Sequence, residues 1–294
     1  MARQGTYSIV ARDPDTLELG LAVQSHWFSV GSVVPFAQAG VGAVAVQSVP
    51  DPHTGPAVLD ALAAGETARD ALRRAVAGTD SGMRQVGIVD ALGRAGAWTG
   101  SGCIAHAGDA DGPGFVAQAN MMRAPGVPEA MAAAFDATAQ NPLAERLLAA
   151  LDAAEAAGGD VRGRQSAALL VVPGDPAAPA HARTVDLRVE DHADPLGELR
   201  RLLVLHRAYA LAGEADELVA RGRSADAGPL YRQAAELAPG ADELLFWAGL
   251  AGGVPDGLAL VREAIARNPR WRELLDRLTP DVAPTAKAVR DSLG

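Results

Sequence analysis

The chain has 294 residues, enough for one large domain or two ordinary ones, and its 49% apolar and 21% charged residues predict a sizeable core. A formal charge of -10 repels a phosphate backbone on average, which excludes nucleic acid as an expected partner. No uninterrupted apolar run is long enough to span a bilayer, so no membrane partner is expected and the cytoplasm is the expected compartment.

Residues 6–11 (TYSIVA) read as a strand, 12–18 as a turn rich in Asp and Pro, and 19–25 (LGLAVQS) as the return strand of a hairpin. A second pair follows at 32–38 and 41–48, with Gly40 and Gly42 as turn residues. These runs are almost wholly apolar, as strands buried in a layered fold are. Residues 55–78 then change period. Val58, Leu59, Leu62 and Ala63 make one helical face, and Ala68, Ala71, Leu72 and Val76 make a second after a break at Gly65.

Strands return over 84–102, with a turn at 90–93, and again over 114–122; the glycine-rich stretch between, 100–114, reads as a long loop. Two helices (127–139 and 142–158), a buried strand (165–172) and a half-buried alternating one (183–191) complete this part. Hairpin pairs with helices set between them predict packed antiparallel sheets covered by helices, an α+β fold.

From Pro195 the texture is helical. Tyr231, Ala234, Ala235, Leu237, Pro239, Leu244, Trp247 and Ala248 resemble part of a tetratricopeptide repeat, and Ala264, Ala266, Pro269, Trp271 and Leu274 repeat the theme. The expected division is a domain over 1–205 and a helical domain over 206–294.

Several chemistries drop out. The only lysine is Lys287, so Schiff-base lysines, Ser-Lys dyads and P-loop lysines are excluded upstream of it. Six scattered histidines form no HExxH, and Asp109 and Asp111 near His106 are too few carboxylates for a calcium loop. No metal or other cofactor is therefore expected. Cys103 is the sole cysteine, with nothing local to lower its pKa, and reads as a small buried residue. No serine sits in a GxSxG elbow.

Thr6 offers a different device. A threonine at an amino terminus carries a nucleophilic hydroxyl and, in its own α-amine, the base that activates it. It is not terminal here, so cleavage between Gly5 and Thr6, or a later true start of the chain, would have to free it. Read from its motif alone, Thr6 is first a β-branched residue opening a strand, and the nucleophile reading comes second.

Residues 6–48, 84–103, 158–172 and 185–206 together resemble the domain-of-unknown-function 1028 family, which is grouped with the amino-terminal-nucleophile (Ntn) hydrolases. The resemblance implies a four-layer αββα sandwich. It places Thr6 at the nucleophile position, and Gln24, Ser25 and His26 beside it. Asn120, in a QAN segment, is implied as an oxyanion donor together with backbone amides near Ser25, and Arg164 and Ser166 as substrate contacts. Arg164 would fork onto a substrate carboxylate, the alternative being an ion pair with Asp160. Residues 1–5 extend beyond the usual family start, the lysine of proteasome-like relatives is absent, and Gln24-Ser25 stands where their aspartate would be.

Two functions follow. One is an amidohydrolase acting on a small amide or peptide, with Thr6 freed by loss of residues 1–5 through its own chemistry. The other is a non-catalytic Ntn-like scaffold whose helical tail docks a peptide, a protein or cell-wall material. A homo-oligomer is expected in either case.

Overall fold

In a computed structural model that describes residues 5–77 and 82–294, β1 (Thr6–Arg12) and β2 (Leu19–Ser25) pair as the expected antiparallel hairpin. Residues 1–4 of the expected leader and Gly78, the expected end of the first helical stretch, lie outside the described residues. Asp13 closes the hairpin: its Oδ1 accepts the backbone N–H groups of Asp15 and Thr16, each at 2.9 Å. The second pair is β3 (Pro35–Gln38) and β4 (Gly42–Gln47). The expected strand at 32–38 starts late. Residues Val30–Ser32 form a 3-10 turn instead, entered through Ser29 at a φ of 55° and held by the Ser166 hydroxyl, which accepts the Val30 N–H at 3.0 Å.

Helices α1 (Thr54–Ala63) and α2 (Ala68–Ala75) flank the break at Gly65, and the Thr67 hydroxyl caps α2 by accepting the Asp70 N–H. Strands β5 (Gln85–Asp90), β6 (Ala95–Thr99), β7 (Gly108–Gly112) and β8 (Phe115–Asn120) follow, then α3 (Val127–Ala137), α4 (Leu143–Ala156), β9 (Ser166–Val172) and β10 (Val185–Val189). The glycine-rich stretch is thus not all loop. Its residues GDADG form β7, which among the described residues pairs only with β8 at the edge of its sheet. An edge strand with partly exposed faces needs no apolar alternation, so the hydrophobic pattern does not mark it.

The strands make two antiparallel sheets, ordered β10-β9-β2-β1-β8-β7 and β3-β4-β5-β6. They stack face to face through β1 and β2 against β4, and β1 and β8 against β5. Val10, Leu21, Val23, Ala43, Ala45, Val89, Val116 and Leu170 fill the space between them. Helices α3 and α4 cover the outer face of the larger sheet, and α1 and α2 that of the smaller. This is the four-layer αββα sandwich. Alternation along β1 follows from it: Ser8 and Val10 point between the sheets, while Tyr7 and Ile9 point toward α4, where the Tyr7 hydroxyl donates to Glu155 at 2.6 Å.

The chain separates into two compact units, Met1–Arg200 and Arg201–Gly294. The boundary falls within α5 (Pro195–Ala220), which is followed by α6 (Ser224–Leu237), α7 (Asp242–Gly252), α8 (Leu258–Arg267), α9 (Arg270–Arg277) and α10 (Ala286–Leu293). In the second unit Phe246 stacks on Trp271 with ring centroids 4.8 Å apart and meets Trp247 edge-on at 5.3 Å. Tyr231 packs in the same core and donates to Asp216 at 2.5 Å. Among the described residues no helix is long and apolar enough to cross a membrane.

Candidate active site

Strand register builds the site. Thr6, the first residue of β1, lies opposite Ser25, the last of β2, and opposite Asn120, the last of β8; Ser25 in turn lies opposite Ser166, the first of β9. Directly opposed residues share a face, so Asn120, Thr6, Ser25 and Ser166 form one row across four strand ends. The row faces the second sheet, on the same side as Ser8. All four residues are buried, Thr6, Ser25 and Ser166 completely.

Within the row the Thr6 hydroxyl donates to Ser25 Oγ at 3.2 Å, and the Ser25 hydroxyl donates to the Gly5 carbonyl oxygen at 2.5 Å. That oxygen accepts a second hydrogen bond, from Arg162 Nη2 at 2.9 Å. Arg162 is itself fixed by two contacts to Asp160, Nε to Oδ1 at 3.1 Å and Nη2 to Oδ2 at 2.8 Å. The Asp160 carboxylate is wholly buried and also accepts the Arg162 N–H at 2.9 Å and the His26 N–H at 3.3 Å. The Gly5 carbonyl therefore sits against one neutral and one cationic donor. Such donors favour negative charge building on that oxygen.

Beneath the row lies a network of buried amides. Gln47 Nε2 donates to Gln85 Oε1 at 2.7 Å and to the Thr6 carbonyl at 3.2 Å, and Gln47 Oε1 accepts the Ser8 hydroxyl at 2.7 Å. Gln85 Nε2 reaches Thr99 Oγ1 at 2.9 Å and the carbonyls of Gly108 and Ala119 at 3.0 Å. Gln118 Nε2 donates to Ser8 Oγ at 3.2 Å. The network ties the two sheets together where the hydroxyl row needs a fixed position, and in a low-dielectric interior each bond is costly to lose.

Thr6 and Ser25 stand together as expected, but the other expected contacts differ. Asn120 Nδ2 is engaged by the Thr6 carbonyl at 3.4 Å and Gln85 Oε1 at 3.1 Å, so its donor side is occupied, and its Oδ1 has no partner among the described residues. The His26 N–H, one of the backbone amides near Ser25, points at Asp160. The groups that do touch a carbonyl oxygen beside Thr6 are Ser25 and Arg162. Gln24 lies on the other face of the sheet, because it is opposite Tyr7 and period-two alternation sends it away from the row. It is fully buried there, and neither amide atom has a partner among the described residues.

Ser166 belongs to the row, and its hydroxyl donates to the Trp27 carbonyl at 2.5 Å while accepting the Val30 N–H, so it pins the loop after β2. Arg164 pairs with Asp194 at 3.0 Å and Glu155 at 3.8 Å at a partly exposed position, and Asp160 pairs with Arg162 rather than with Arg164. The His26 ring lies on the rim, with Nδ1 3.3 Å from the Arg164 carbonyl. Burial pushes the Cys103 thiol up, which makes it a poor nucleophile.

Sequence reasoning misses Arg162, Gln47 and Gln85, and names Asp160 only as a partner for Arg164. Gln47 and Gln85 do carry a signal, since each is a polar residue at the end of an otherwise apolar strand. Arg162 and Asp160 come from the loop between α4 and β9, far from Thr6 in sequence, and only the fold brings them to Gly5.

The sequence model for the family of unknown function DUF1028 matches residues 6–199. Among solved structures the chain is similar to protein SPO2555 from Silicibacter pomeroyi, itself matched by that family model, at 35% identity and a TM-score of 0.61 over 68% of this chain and 84% of that one. A fainter likeness, 11% identity and a TM-score of 0.34, is to Anbu (ancestral beta-subunit) from Yersinia bercovieri, over 67% of this chain and 92% of that one. No curated protein matches the chain.

Proposed function

The chain belongs to the family of unknown function DUF1028, and on that footing we propose that it is an amino-terminal-nucleophile amidohydrolase in its uncleaved form, with Thr6 as nucleophile. The observation that carries this reading is the hydrogen-bond chain from Thr6 Oγ1 through Ser25 Oγ to the Gly5 carbonyl oxygen. The family match also opens at Thr6.

The chemistry runs along that chain. Oγ1, Cβ, Cα and N of Thr6 and the carbonyl carbon of Gly5 are covalently linked in series, so attack by Oγ1 on that carbon closes a five-membered ring. The hydroxyl proton passes to Ser25, and the Ser25 proton passes to the Gly5 oxygen. Arg162 disperses negative charge on that oxygen while the transfer lags. Collapse of the tetrahedral carbon breaks its bond to the Thr6 nitrogen, which keeps the electron pair and takes the proton back from the collapsing hydroxyl. The result is an ester between the Gly5 acyl group and Thr6 Oγ1. One water hydrolyses it to a Gly5 carboxylic acid and a Thr6 with free hydroxyl and free amine. No lysine enters any step. The amine so released has a reference pKa of about 7.7–8.0 and serves as general base for the next amide.

In this reading the substrate is a small amide or peptide, and the helical unit, which lies outside the family match, is left as a docking surface for a peptide or protein. Incubation with an electrophilic threonine-directed probe, followed by peptide mapping, tests the assignment. Modification at Thr6 that is absent from Thr6→Ala supports it, and an unlabelled Thr6 counts against it. The complete burial of Thr6 with Gly5 attached also fits a non-catalytic scaffold, for which the same probe leaves the protein untouched.

A further inference from the structure

Gly5 is confined by space, not by dihedral angle. Its φ lies outside the left-handed region, yet a Cβ built on it would come within 2.7 Å of Asp160 Oδ2, 2.9 Å of Arg162 Nη2 and 3.0 Å of Met121 Cβ. Two of these neighbours cannot easily give way. The Asp160 carboxylate is held at four points, by Arg162 Nε, Nη2 and backbone N–H and by the His26 N–H. Arg162 is held in turn by Asp160 and by the Gly5 carbonyl. The third neighbour, Met121, follows β8 directly in sequence, and its backbone is tied by the bond from its N–H to the Ile104 carbonyl at 2.8 Å and by the Val161 N–H to its own carbonyl at 3.1 Å.

The wall also bears on acyl groups delivered from outside. The ester formed during self-cleavage, a glycyl group on Thr6 Oγ1, is chemically the acyl-enzyme that a glycyl amide would give in turnover. Held where Gly5 stands in the uncleaved chain, its oxygen would meet the same two donors and its α-carbon the same wall. Resting on the reading of Thr6 as nucleophile, we propose that the site takes acyl groups whose α-carbon bears no side chain, so that glycyl amides and glycyl peptides are its substrate class. Arg162 is the residue that both holds the acyl oxygen and closes the space beside the α-carbon. In turnover, Thr6 Oγ1 bonds to the glycyl carbon, the C–N bond breaks, and the amine leaves with the proton taken from Thr6 by its own α-amine. Water then releases the glycine carboxylate and restores the hydroxyl.

Acetylglycine p-nitroanilide and acetylalanine p-nitroanilide, given to the full chain, test this directly, with intact mass recorded alongside. One added methyl in a close-fitting site is worth about 10–200-fold. The wild type is expected to release nitroaniline from the glycyl compound faster by that margin, and Arg162→Ala, with the wall opened, is expected to bring the two rates within about threefold, the low end of that margin having been lost. Arg162→Lys keeps the charge but not the two-point hold, and falls between. Because the readout is a ratio of two rates on one preparation, partial misfolding lowers both and leaves it unchanged. A processed wild type that cleaves the alanyl compound as fast as the glycyl one, or cleaves neither, overturns the glycyl assignment and leaves the Thr6 chemistry standing. An Arg162→Ala protein that keeps the wild-type ratio removes Arg162 from the wall. A wild type that retains its Gly5–Thr6 bond and releases no nitroaniline overturns the nucleophile reading itself.

Discussion

Ser25→Ala tests the proton relay at its centre. Ser25 Oγ accepts from the Thr6 hydroxyl and donates to the Gly5 oxygen, so in the proposed reaction the substitution removes both the path for the hydroxyl proton and one of the two donors on the developing oxyanion. Loss of one such donor costs about 2.7–4 kcal/mol in the transition state, or about 10²–10³ in rate. The ground state loses far less. Arg162 still satisfies the Gly5 oxygen, and the net worth of an ordinary hydrogen bond is about 1 kcal/mol, small beside a typical folding stability of about 5–15 kcal/mol. The variant should fold and should process slowly. Cell-free synthesis, with intact masses read at intervals, gives the half-life of the Gly5–Thr6 bond for wild type, Ser25→Ala and Thr6→Ala. A half-life lengthened by about 10²–10³ for Ser25→Ala and no cleavage for Thr6→Ala is the expected pattern. Ser25→Ala cleaving at the wild-type rate would refute the relay.

Other consequences are independent of that experiment. Asp160→Asn weakens the two-point hold on Arg162, and a charge-assisted bond of that kind is worth about 1.5–3 kcal/mol, so thermal melting should fall along with processing rate. Gln85→Leu removes the acceptor shared by Gln47 and Asn120, and denaturant unfolding should show a loss of about 1–3 kcal/mol. Tyr7 titrates well above its ordinary value, first because it is buried and then because Glu155 faces it. A raised folded value means its contribution is complete below the unfolded value of about 10 and is lost as pH climbs through the folded one. Stability measured against pH should therefore decline above about pH 10, and more steeply in wild type than in Tyr7→Phe. In the helical unit, Phe246→Ala removes a fully buried ring stacked on Trp271 and should cost about 3–5 kcal/mol by chemical denaturation.

Much of the fold could be read from periodicity, because strands buried on both faces and amphipathic helices leave strong local patterns. The hairpin of β1 and β2, the helix break at Gly65 and the buried β9 are of that kind. What escaped the pattern did so for physical reasons. Strand β7 is a polar strand at the edge of its sheet, paired with β8, and residues 30–32 turn because the Ser166 hydroxyl and the left-handed Ser29 take them out of extended geometry. In the site, the placing of Ser25 beside Thr6 comes from the family resemblance, and the register of the β1–β2 hairpin is its physical basis. The resemblance places Gln24 with them too, but adjacent strand residues point to opposite faces and Gln24 lies on the other one. Asn120 Nδ2 is engaged by Gln85, and the side chain beside Ser25 on the Gly5 oxygen is Arg162, which no local spacing links to Gly5. The double glutamine-serine ends at 24–25 and 47–48 look alike in sequence, yet Gln47 faces the hydroxyl row and Gln24 does not, a distinction set by register alone.

The central claim is that Thr6 becomes an amino terminus through its own hydroxyl. Amino-terminal sequencing of the purified wild-type protein, beside Thr6→Ala prepared identically, reads this out. The prediction is Thr6 as the first residue of the wild type, with the peptide bond after Gly5 still intact in the variant. A wild type that retains Gly5, or a variant trimmed at the same bond, would contradict it.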